Sequence, residues 1–223
     1  MAKKLSEQLK NKTVVVLGQR RSGTSMVAGI LYKLGVPMDA DIRGDEMNPT
    51  GYFEDKEING LSKWFMKSDW KDKIKYNLAY KFISSRNKKH ENDGIWGFKE
   101  VEQIFTHKFF KPYIQNLYYI IVLRNPYDIA KSLFFWYGDK YKVSFQECIC
   151  VALKNEVEIE KIIKEIDDSP IIFLSFENIR KLPEKNVDKI IEFIDIKPTV
   201  EQINNAKKHI SKKQTTIYGK NLQ

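Results

Sequence analysis

The sequence predicts an α/β protein of three layers, with a central parallel sheet of about four to five strands covered by helices on both faces. Three observations carry that prediction. Short apolar runs at Val14–Leu17, Ile95–Phe98, Tyr118–Leu123 and Ile171–Leu174 read as strands buried on both sides. Segments of helical period alternate with them. The first run passes through Gly18 and a short polar loop straight into Val27, Ile30, Leu31 and Leu34, the i, i+3, i+4, i+7 face of a helix that Gly35 can cap.

Taken in order, Met1 to Lys12 is a polar, basic lead-in. After the first strand and helix, Gly35 to Pro49 is a long connection rich in Gly, Pro and Asp. Asp55 caps a helix whose inner face carries Ile58, Leu61 and Phe65. Lys67 to Asp93 has the weakest pattern and reads as a helical excursion or lid. Lys99 stands at the carboxyl end of the second strand, and a helix is expected from about Val101. Asn125 and Pro126 supply an N-cap and a first helical residue after the third strand, with Gly138 past that helix's end. Ser144 and Glu147 form a capping-box pattern for a helix with Ile159, Ile162, Ile163 and Ile166 on one face. A last helix shows Val187, Ile190, Ile191 and Ile194. A basic tail begins near Lys207 and occupies 209–223.

The chain has 223 residues, 42% hydrophobic, enough for one full core, so a single domain over 1–223 is expected. No apolar run reaches membrane-spanning length, and the first residues lack the apolar stretch of a signal peptide. Cys148 and Cys150, the two cysteines, read as core or boundary residues in a reducing cytoplasm, which is the expected location. The net charge of +9 suits an anionic ligand. The lysines are dispersed and no nucleic-acid motif is visible, so DNA or RNA is not the expected partner.

The loop after the first strand carries the chemistry. A strand, a glycine-bounded turn and a helix start aim backbone N–H groups and the positive helix end at an anion. Gly18 and Gly23 keep the Gly-x4-Gly spacing of a nucleotide phosphate loop, and Ser25 keeps its hydroxyl. Thr24 stands where that loop has its lysine, and the positive charge has moved to Arg20 and Arg21. This argues against ordinary NTP hydrolysis. In parallel sheets, ligands bind beyond the carboxyl ends of the strands. Arg20, Arg21, Lys99 and Arg124 each follow such an end, which describes a pocket for a strongly anionic ligand.

Several segments together resemble the bacterial sulfotransferase family: Gln19 to Ser25, Asn48-Pro49-Thr50-Gly51-Tyr52-Phe53-Glu54-Asp55, Trp96-Gly97-Phe98-Lys99-Glu100, and Val122 to Asp128 with Ser132 beyond. The final strand running into Phe176-Glu177-Asn178-Ile179 fits as well. The resemblance spans about Thr13 to Ile196 and implies a P-loop NTPase-like fold. It implies 3′-phosphoadenosine 5′-phosphosulfate (PAPS) as donor and 3′,5′-adenosine bisphosphate (PAP) as product. It also implies a sulfate acceptor bearing a hydroxyl or amine, with a carbohydrate, a glycolipid or a small molecule as candidates. By position, Arg20, Arg21, Ser22, Gly23, Thr24 and Ser25 resemble the segment that binds the 5′-phosphosulfate, and Arg124 with Ser132 resembles the pair that binds the 3′-phosphate. Many eukaryotic members have lysine where Arg21 stands; arginine stabilises charge but is a poor proton donor. Relatives often have Asp-Pro where Glu100 and Val101 stand, so Lys99 transfers more firmly than Glu100.

Sulfuryl transfer needs fixed cations near the bridging oxygen and a base for the acceptor proton. Arg21 and Lys99 are the expected catalytic cations. Glu54 is the expected base, in an aromatic-rich stretch where partial burial would raise its pKa. Asp55, His90, His107 and His209 are the alternatives: Asp55 suits a cap better, His90 lies in a polar run, His107 is expected on a helix surface and His209 in the tail. No metal is expected, because the strands do not end in the Mg²⁺-binding Asp of a nucleotide hydrolase. The competing readings are a P-loop-type kinase and a non-catalytic module binding a nucleotide or sulfated glycan. The residues set no oligomeric state.

Overall fold

The computed structural model of the chain describes residues 11–46 and 48–211. The lead-in before Asn11 and the tail after Ser211 lie outside the described residues. Four strands, β1 (Lys12–Leu17), β2 (Ile95–Lys99), β3 (Leu117–Leu123) and β4 (Ile171–Ser175), form one parallel sheet in the order β2-β1-β3-β4. The helices are α1 (Thr24–Lys33), α2 (Lys56–Lys67), α3 (Asp72–Lys89), α4 (Gln103–Phe110), α5 (Pro126–Tyr141), α6 (Phe145–Lys164), α7 (Phe176–Lys181), α8 (Pro183–Ile194) and α9 (Val200–Ser211).

The central strands β1 and β3 explain why their sequences are continuously apolar. Side chains alternate across a strand, so both halves of each run must find a core. Val14, Val16, Ile120 and Val122 join a cluster with Val27, Ile30 and Leu31 of α1, Val187 and Ile190 of α8, and Ala206 of α9. Val15, Leu17, Tyr119 and Ile121 join the opposite cluster with Ile58 of α2, Phe82 of α3, Ile104 of α4 and Ile159 of α6. Each fully buried aliphatic side chain contributes about 1.5–3 kcal/mol, so the two clusters hold the sheet from both sides.

Local signals set the helix starts. Asp55 accepts the Glu57 N–H at the start of α2, and Asn125 accepts the Tyr127 N–H at the start of α5 with Pro126 in the first turn. The reciprocal Ser144–Glu147 capping box opens α6.

Other expectations are corrected. α5 does not stop at Gly138 but runs to Tyr141 and ends on Lys142 in the left-handed region. Gly138 is small for contact: a Cβ there would stand 2.8 Å from the Phe134 ring. The helix expected from about Val101 is present, with its first residue at Gln103. His107 is not on a helix surface; it is buried, with Nε2 2.7 Å from the Tyr119 hydroxyl, and burial lowers its pKa to about 4. Residues 207–211 continue α9 instead of starting a tail, and His209 is buried edge-on to Phe53 over Gly29. Within Lys67–Asp93 lies α3, whose Ala79, Phe82 and Ile83 are buried while its neighbouring faces meet α2 and α4.

Candidate active site

The carboxyl ends of β1, β2 and β3 open onto one cleft of about 730 Å³, counted with the solvent at its mouth. Its lining brings together Arg20, Arg21, Gly23, Thr24, Ser25, Glu54, Lys99 and Arg124. Ser22 and Ser132 are buried behind this lining.

The loop from Gly18 to Gly23 is shaped by close approach. A Cβ on Gly18 would lie 2.7 Å from Ser22 Oγ and 2.8 Å from the Val122 carbonyl, so only glycine fits between the loop and β3. Gly23 caps α1 with φ 98°, a conformation that disfavours side chains, and the Phe176 ring fills the space where its Cβ would go. The first turn of α1 carries no acidic residue that would offset the positive end of the helix.

Three cations are held in place by named partners. Arg124 donates from Nη1 to the Arg21 carbonyl at 2.8 Å and lies 4.4 Å over the Phe176 ring. Arg21, itself at φ 67°, donates from Nε to Ser132 Oγ at 2.7 Å, and its guanidinium stands 5.9 Å from the Trp136 ring. The Ser132 hydroxyl is therefore engaged on Arg21 and fully buried. Arg20 is not simply presented to solvent: it forms an ion pair with Glu102, whose side chain is nearly enclosed.

Glu54 sits opposite the loop. Its Oε1 accepts from Lys99 Nζ at 2.7 Å and its Oε2 from Asn59 Nδ2 at 2.8 Å. The backbone beneath it is fixed by a short antiparallel bridge in which Asp41 N–H donates to the Glu54 carbonyl at 3.0 Å. Phe53, just before it, takes φ 52° and buries its ring, which turns Glu54 back toward the cleft. Lys99 is fully buried, so desolvation pushes its pKa down while Glu54 holds it up. The adjacent Glu100 is buried too, and desolvation together with the Glu54 charge raises its pKa to about 8.

The alternative bases stand elsewhere. Asp55 caps α2 and accepts from Arg86 at 2.6 Å. His90 is buried between Asp93 at 2.7 Å and Asp39 at 2.8 Å, stacked on Trp96. His107 and His209 are in the core, and none of the four lines the cleft.

Asn48, Tyr52, Tyr137 and Phe176 also line the cleft, and Glu102 pairs with Arg20; sequence reasoning assigned none of them a site role, although Asn48, Tyr52 and Phe176 lie in segments that carry the resemblance. Tyr52 donates its hydroxyl to Asp45 at 2.8 Å, and burial raises its pKa. Phe176 had a readable signal, since it follows the carboxyl end of a strand as Lys99 and Arg124 do. Glu102 had none, because its partner is 82 residues away. Among the described residues, no group of three or more His, Cys, Asp or Glu is arranged to hold a metal ion, and no helix is long and apolar enough to cross a membrane.

A glycine-bounded loop between a strand and a helix, with cations at neighbouring strand ends, defines the phosphate-loop class of α/β proteins. Within that class the chain belongs to the sulfotransferase domain family, whose model matches residues 11–216. The fold is similar to the crystal structure of a sulfotransferase from Mycobacterium avium, with TM-score 0.61 and 14% identity over 94% of this chain and 71% of that one. It is also similar to a sulfotransferase from Mycobacterium tuberculosis H37Rv, with TM-score 0.59 and 12% identity over 93% of this chain and 74% of that one. The sulfotransferase domain from the curacin biosynthetic pathway matches with TM-score 0.60 and 12% identity, over 87% and 77%. Identities this low speak for the shared fold alone. No curated protein matches the sequence.

Proposed function

We propose that this chain transfers a sulfuryl group from PAPS to a hydroxyl or amine of a carbohydrate, lipid or small-molecule acceptor. The observation that carries the reading is the juxtaposition in one cleft of the cation-lined loop and the Glu54–Lys99 pair. The residues fit a doubly phosphorylated nucleotide. The start of α1 and Arg21 suit one anionic end. Arg124 stands at the rim, where a second groove begins that Lys131, Arg180 and Lys181 also line.

When bound, PAPS supplies an activated sulfuryl group on a phosphate leaving group. The loop amides, Arg21 and Lys99 would stabilise the negative charge that builds on the leaving phosphate, and their fixed positions would spare reorganisation during transfer. Glu54 takes the acceptor proton as the acceptor oxygen or nitrogen bonds to sulfur and the bridging S–O bond breaks. Ser132 and Trp136 orient Arg21, and Arg124 pins the loop through the Arg21 carbonyl. Tyr52 and Tyr137 give the acceptor side an aromatic lining that suits a sugar or an aromatic ring.

The test is transfer of labelled sulfate from PAPS to a panel of hydroxyl- and amine-bearing acceptors. Transfer that Glu54→Gln lowers by roughly 10²–10⁴ while PAP affinity is kept is the expected result. Wild-type turnover in that variant contradicts the role of Glu54. PAP binding with no transfer to any acceptor favours a binding module instead.

A further inference from the structure

Along one wall of the cleft, and buried just behind it, carboxylates outnumber cations. Glu54 pairs with Lys99, and Glu102 with Arg20, so each cation already has a partner. Glu100 adds a third carboxylate, 1% exposed, with the Glu102 N–H donating to its Oε1 at 3.0 Å. The groups facing it are Arg20 from the loop after β1, Glu54 from the segment before α2, Ser62 of α2, and Lys99 and Glu102 on its own stretch. Behind it, Ser62, Gln103 and Thr106 form a neutral, buried hydrogen-bonded group that supplies no further charge.

With all three carboxylates ionised, this wall has a net negative charge beside a pocket meant for an anion. Buried, unpaired charge is costly, and an approaching phosphate makes it costlier. From this geometry we infer that Glu100 carries a proton in the donor-bound state, and that binding of the anionic nucleotide is linked to proton uptake at this residue. The inference rests on the reading of the cleft as a PAPS site. Glu100 is not among the residues that line the cleft and acts through the Glu54–Lys99 pair; it is a positioning residue that keeps Lys99 committed to Glu54. Its raised pKa, about 8, puts the linkage within an accessible range.

The sign follows from linkage. A nearby anion favours the protonated acid, so nucleotide affinity stays flat below the free-state pKa and declines above it, by at most about tenfold per pH unit for one proton.

Calorimetric titration of the full chain with PAP, between about pH 7 and pH 9 and in two buffers of different ionisation enthalpy, reads this directly. The expected result is uptake approaching one proton in the upper part of that range, with falling affinity. In Glu100→Gln, which keeps the acceptor for the Glu102 N–H, uptake should vanish and affinity should become flat. An unchanged pH dependence in Glu100→Gln overturns the inference. Absence of proton uptake in the wild-type chain overturns it without any variant, should Glu100→Gln fail to fold. Absence of PAP binding at every pH is the separate result that overturns the donor reading and this inference with it.

Discussion

Arg124 does two things at once. Its guanidinium closes the carboxyl end of β3 at the rim of the cleft, and its Nη1 holds the Arg21 carbonyl in the loop across from it. Arg124→Ala should therefore weaken PAP binding by about 1.5–3 kcal/mol, the range for hydrogen bonds to charged groups. Calorimetry checks this, and unchanged affinity removes Arg124 from the site. Gly23 makes a complementary case. Gly23→Ala would place a methyl into the Phe176 ring at a φ of 98°, so loop geometry and nucleotide affinity should both suffer. Thermal unfolding with and without PAP separates the two losses; a fully stable variant with wild-type affinity would contradict the loop geometry.

Helix starts are where sequence and structure meet most closely. Ser144 accepts the Glu147 N–H while the Glu147 carboxylate accepts from the Ser144 N–H and hydroxyl. Ser144→Ala should cost about 1 kcal/mol of stability, measured by denaturant unfolding, with no effect on nucleotide binding. That cap was legible because all its partners lie within three residues. The strands were legible for a similar reason: burial on both faces leaves continuous apolar runs in β1 and β3. α3 was not, because its apolar residues serve two neighbours, α2 and α4, and blur into no single face. Long-range pairings such as Arg20–Glu102 and Arg21–Ser132 leave no local trace. Topology nonetheless placed the cleft cations, since a residue that follows a parallel strand has to emerge on the ligand rim.

Charge and burial act on the whole molecule as well. His107 is buried and held neutral, with its pKa lowered from 6.5 to about 4. Between these values the unfolded chain takes up a proton that the folded chain refuses, so stability falls as pH falls through the window and rises as pH rises. The full loss is about 3 kcal/mol at 1.36 kcal/mol per pH unit. Denaturant unfolding across that range should show a shallower acid limb in His107→Gln, and an unchanged limb would place the acid sensitivity elsewhere. Neither His107 nor the buried His90 lines the cleft. The central claim is that this rim grips a doubly phosphorylated adenosine without help from a metal. Thermal unfolding of the wild-type chain with a chelator present tests it most directly: PAP should raise the midpoint, whereas protection by Mg·ATP alone, and none by PAP, would contradict the account.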